Sequence, residues 1–155
     1  MLEQESTADT LALPSAGFLR RLGAMAYDLL VVTALLMLTG FAALTVTGGV
    51  AIDAGTWWFR ALLILVTSGF FCGFWVRGGQ TIGMRAWRLQ LIGDAGRGEA
   101  VSPARAVGRL AAACLSALPA GLGYLWILFD HRGLAWHDRL SGTRVVLLPP
   151  KPRQR

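Results

Sequence analysis

Three apolar runs divide this chain, and charge, glycine or proline bounds each of them. The first is prepared by residues 17–27, where Phe18, Leu19, Leu22, Met25 and Ala26 recur at helical spacing between polar positions. This is the pattern of an amphipathic approach to a membrane, and it continues into a span over 24–47. Such a run has the ~20 apolar residues that a helix needs to cross a bilayer. The turn GGVAIDAG at 48–55 ends it. A second span covers 57–76, with Trp57 and Trp58 at one end and Trp75 at the other. Indoles favour the water–lipid boundary, so these read as two interfacial belts. Arg60 can reach back to the Trp57 end. The third run, 106–129, is broken at 119–123 by Pro119, Gly121 and Gly123.

The polar segments predict the rest of the architecture. Residues 1–16 carry Glu3, Glu5 and Asp9 and read as a mobile polar N-terminus. In 77–104, the stretch 87–91 alternates apolar with polar side chains, which is the period of a strand. The sequence GDAGRG is a turn, and Ser102-Pro103 starts a helix, with serine as N-cap and proline in the first helical position. Residues 144–148 predict a second strand, and 148–155 form a basic tail. The folded unit is therefore expected over 17–147.

Composition supports the membrane reading. Hydrophobic residues make up 54% of the chain and charged residues 15%, against about 25% charged in a soluble domain. Mean hydropathy is +0.51. Arg20-Arg21 before an apolar run mimics a twin-arginine signal, but the run is long and no small-residue cleavage site follows, so it reads as a retained anchor. Cys72 and Cys114 lie far apart within apolar runs and read as small buried side chains, with no disulfide or metal role.

The net charge of +6 is unevenly placed. Segment 77–109 holds six arginines and two acids, 130–155 six basic residues and two acids, and 48–60 only Arg60 and Asp53. Basic loops face the cytoplasm, where anionic lipid is the expected partner, and no nucleic-acid motif is present. Three full spans would put 130–155 outside. A hairpin broken at 119–123 keeps 14 of the 15 basic residues inside, both termini included. It also lets 87–92 pair with 144–148 on one side. Each arm would be only ~18 Å long, too short to cross. The charge count favours the hairpin. The expected fold is an all-α integral membrane protein with two full transmembrane helices, a broken third apolar helix or re-entrant hairpin, and a small cytoplasmic β-pairing.

Four blocks in this order, RLGAMAYD at 21–28, GGQTIGMRAWRLQLI at 78–92, SPARAVGR at 102–109 and HDRLSGTRVV at 137–146, resemble the RDD family of bacterial inner-membrane proteins. The resemblance spans about 17–147. The arginine and two aspartates that name the family correspond to Arg21, Asp28 and Asp138. One position departs: Met84 stands where a basic residue is often found after GQTxG, with Arg85 following. The resemblance implies a multi-pass inner-membrane protein, with transport of an unidentified ligand or ion antiport as the suggested activity.

The chemistry-bearing candidates are few. Asp28 reads either as an ion- or proton-binding carboxylate or as an interfacial acid paired within the fold. Arg21 lies on the same helical face but leans away from it, so another helix must supply the partner. Arg105 and Arg109 share a face one turn apart, and Arg109 is the first choice as that partner. The alternative is two arginines snorkelling to lipid phosphate. His137, Asp138 and Arg139 form a second polar knot. Adjacent residues diverge on a helix, so a metal site is not expected there. Asp138 is expected to bond the backbone near 142–143 or an arginine of 77–105. Gly69 and Gly73 form a GxxxG pair that seats either a second copy or, preferably, one of the chain's own helices.

No nucleophile–base set, phosphate loop or paired-carboxylate site is present. The chain therefore does not read as an enzyme, and no cofactor is implied. Two functions remain open: a transporter or antiporter subunit, working as a homo-oligomer, or a non-transporting scaffold that binds anionic lipid or a partner protein.

Overall fold

The computed structural model describes residues 13–53, 55–93, 100–119 and 121–150. Two long helices dominate it: α1, Phe18–Val46, and α2, Trp57–Gly78. They have 29 and 22 residues, or ~43 and ~33 Å at 1.5 Å per residue, enough for a hydrocarbon layer of ~30 Å. Only 11% and 6% of their most apolar windows are buried inside the protein. Leu30, Leu38, Ile64 and Leu65 all point outward. A bilayer must cover these faces. The amphipathic approach and the first span, which the sequence separates, form one unbroken helix. Gly23 does not interrupt it, because its bare Cα receives the Trp87 ring.

Helix α2 ends at Gly79, whose φ of 65° only glycine adopts freely. The short α3, Ile82–Ala86, follows, capped by the Thr81 hydroxyl on the Met84 N–H. Strands β1, Leu89–Gly93, and β2, Thr143–Leu147, pair antiparallel with Leu89 opposite Leu147 and Leu91 opposite Val145. This is the predicted pairing. The N-terminal segment adds to it. Ala16 N–H donates to Val145 O, and the Pro14 carbonyl accepts from Leu147 N–H. Residues 14–16, assigned by sequence to the polar N-terminus, thus lie along β2.

The third apolar run is broken as expected. Helix α4, Pro103–Ala117, is followed by α5, Leu122–Leu125, and a 3-10 turn, Trp126–Leu128. The two arms are bent by 107°. Gly123 permits the fold-back: a Cβ there would stand 2.7 Å from the Ser116 Cβ. The Tyr124 hydroxyl closes the turn on Ala113 O at 3.2 Å. Paired strands lie on one side of a bilayer, so a single crossing between β1 and β2 is excluded. The last helix, α6, Trp136–Ser141, leads into β2.

Three expectations are corrected. Trp75 is not at the lipid boundary; it is 8% exposed within the core, its ring 5.4 Å from the Arg109 guanidinium carbon. Gly69 and Gly73 seat none of the helices among the described residues, since a Cβ at either would meet nothing there within 4 Å. Cys72 is half-buried and Cys114 exposed, and both are free thiols.

Candidate functional site: two buried aspartates beneath a membrane cavity

The buried residues of the first half of α1 are Arg21, Ala24, Asp28 and Val32. Their three- and four-residue spacing makes one stripe that faces α3 and the cap. Both charged members of the stripe are satisfied, in different ways.

Asp28 is bound by neutral donors. The Thr81 hydroxyl donates to Oδ2 at 2.5 Å and the Gly83 N–H to Oδ1 at 2.8 Å. The carboxylate thus receives a free amide of the first turn of α3, where a negative charge is favoured. Gly83 is required for the approach: a Cβ there would strike the Ala24 carbonyl oxygen and stand 2.9 Å from Asp28 Oδ1. The expected Asp28–Arg109 pair does not form.

Arg109 instead joins Asp138. Its Nη1 donates to Asp138 Oδ1 at 2.6 Å and to Thr143 Oγ1 at 2.6 Å. Arg21 Nη1 donates to the other carboxylate oxygen of Asp138, and Arg21 Nε to Ala16 O at 3.0 Å. Asp138 also accepts the Ala135 N–H at 3.1 Å, closing the start of α6. One carboxylate therefore ties together α1, α4 and α6. Its side chain is 0% exposed. Burial pushes its pKa up, but Arg109 and Arg21 outweigh burial and hold it well below the usual carboxylate range.

His137 packs against Tyr124 with ring centroids 4.7 Å apart and planes tilted by 48°. Its Nε2 is 3.6 Å from Asp138 Oδ1, beyond hydrogen-bond reach, and Nδ1 has no partner among the described residues. Burial, helped by Arg109 and Arg21, lowers its pKa to about 4, so the imidazole is neutral at pH 7. Arg139 pairs with Asp130 outside this cluster. Arg105 is half-buried one turn before Arg109. Among the described residues no three His, Cys, Asp or Glu side chains gather as metal ligands would.

A cavity of about 780 Å³ lies between α1, α2, α4 and α5. Its wall is mostly apolar, and Asp28, Thr81, Arg109 and His137 supply polar groups. Sequence reasoning missed Thr81 and Gly83. The available signal was the cap pattern of Thr-Ile-Gly-Met, a threonine opening a short helix beside an aspartate that needed donors.

The family model described as RDD family matches residues 15–142. No curated protein and no solved structure matches the chain.

Proposed function

The chain belongs to the RDD family of membrane proteins, and on that premise we propose that it serves, without enzymatic activity, as a transporter or ion-antiporter subunit in the bacterial inner membrane. Asp28 is its working carboxylate. One observation carries this reading: Asp28 is buried at the wall of a cavity among membrane helices, and among the described residues both of its hydrogen bonds come from neutral groups. An intramembrane carboxylate bonded to a hydroxyl and an amide, with no cation among the described residues committed to it, is open to a transported cation or proton. Arg21 and Arg109 also reach the cavity wall, but their guanidiniums are committed to Asp138. Two spans and a hairpin make a thin wall, so the working unit is a homo-oligomer. The charge distribution favours both termini in the cytoplasm.

The Arg21–Asp138–Arg109 cluster supports the second reading, a scaffold whose charges only hold its own helices together. Flux across liposomes separates the two. Purified protein should exchange protons or monovalent cations down an imposed gradient. Asp28→Asn should abolish the flux at unchanged folded yield, and Asp28→Glu should keep part of it. Wild-type protein that is folded and carries no flux under any cation gradient favours the scaffold.

A further inference from the structure

The outer face of α2, away from the cavity, carries a second groove. It runs over Gly69 and Gly73, beside Phe70 and Phe74, and ends at Arg77 and Arg85. Its volume is about 180 Å³, below the ~300–1,000 Å³ of small-molecule pockets, so it suits a segment of a larger molecule. The two glycines leave the groove floor bare. Arg85 reaches it from α3: a Cβ at Gly78 would stand 3.9 Å from Arg85 Nη2, so the guanidinium lies against the end of α2. Arg77 comes from the last turn of α2 itself.

Both arginines are exposed, and neither guanidinium holds a hydrogen bond or ion pair among the described residues. The C-terminal carbonyls of α2 favour a cation at Arg77. They do not explain a second guanidinium brought to the same groove from another helix. Two like charges converging on an apolar groove are complementary to an anion with an apolar tail.

We propose that this groove binds one anionic phospholipid of the leaflet next to the cap, its phosphate between the Arg77 and Arg85 guanidiniums and one acyl chain over Gly69 and Gly73. The chemistry fits: guanidiniums take phosphate oxygens in pairs, and an open glycine face lets a methylene chain lie close to the helix backbone. The site is separate from Asp28 and stands whether or not the chain transports.

Native mass spectrometry of the full-length protein, equilibrated with dioleoyl phosphatidylglycerol or dioleoyl phosphatidylcholine, tests it. Phosphatidylglycerol should be retained and phosphatidylcholine lost. Arg77→Gln with Arg85→Gln should weaken retention about 30-fold, the size of two arginine–anionic lipid contacts. Arg77→Lys with Arg85→Lys should keep more of it than the glutamine pair and less than wild type, which separates charge from folding. Gly73→Leu should also weaken retention, because it fills the groove and leaves both arginines in place. Unchanged retention in the double glutamine variant overturns the proposal. So does full displacement of the lipid by millimolar inorganic phosphate, which would make this a free-anion site. A Gly73→Leu variant that splits a dimer while retaining lipid would make the groove a contact between copies, and the proposal would fail.

Discussion

The Asp138 cluster makes an asymmetric prediction. With His137 neutral, the buried set holds two cations, Arg21 and Arg109, and one anion. Asp138→Asn is isosteric, but it removes the charge and turns one of two accepting oxygens into an N–H donor that faces the donors of Arg109, or of Arg21 and Ala135. It leaves two guanidiniums, 9% and 5% exposed, facing each other with no anion between them. Breaking a buried pair by removing one partner costs ~3–5 kcal/mol, and this case belongs at the upper end. Arg109→Gln is milder, although it also gives up the Thr143 bond and the contact with Trp75. It leaves one cation and one anion still bonded, and should cost about 2–3 kcal/mol. Arg21→Gln should behave similarly. Tryptophan fluorescence during SDS titration of the protein in mixed micelles would give these differences. A cycle between Arg109→Gln and Asp138→Asn should show a coupling of about 2 kcal/mol, whereas Arg109→Gln and Asp28→Asn should add to within ~0.5 kcal/mol. Strong coupling of Arg109 to Asp28, with none to Asp138, would refute the arrangement of bonds described above.

Two further outcomes are expected. His137 has a folded pKa of about 4 against 6.5 unfolded, so between those values the unfolded chain binds more protons. Stability from its burial is complete above pH 6.5 and falls as pH drops towards 4, by about 3 kcal/mol in all; His137→Phe should flatten that slope in detergent unfolding curves, and an unchanged slope would place the titration elsewhere. For topology, reporter fusions after Thr7 and after Lys151 should both read cytoplasmic, and a periplasmic signal at either would contradict the charge-based orientation.

The fold was legible where the chain repeats one simple rule over many residues. Runs of apolar side chains long enough to cross a bilayer announced α1 and α2, and period-two alternation at 87–91 announced β1. Pro119 and Gly121 marked the break between α4 and α5. What the sequence did not carry was partner choice. Asp28 and Asp138 are both buried acids, and both needed donors. One takes two arginines from different helices, and the other takes a hydroxyl and an amide. The difference follows from distance along α1: Asp28 lies seven residues beyond Arg21, two turns of helix, about 10 Å. That offset carries Asp28 past the cap and level with α3, where Gly83 allows its backbone amide close enough to bind. Arg21, at the near end of the stripe, meets α6 instead. A side chain's depth is thus readable from spacing, but the group waiting at that depth is set by the glycine that lets another segment approach. The same reasoning explains Trp75. Its place at the end of an apolar run suggested the lipid boundary, yet α4 brings Arg109 to that level, and a guanidinium over an indole face is a better partner than headgroup water.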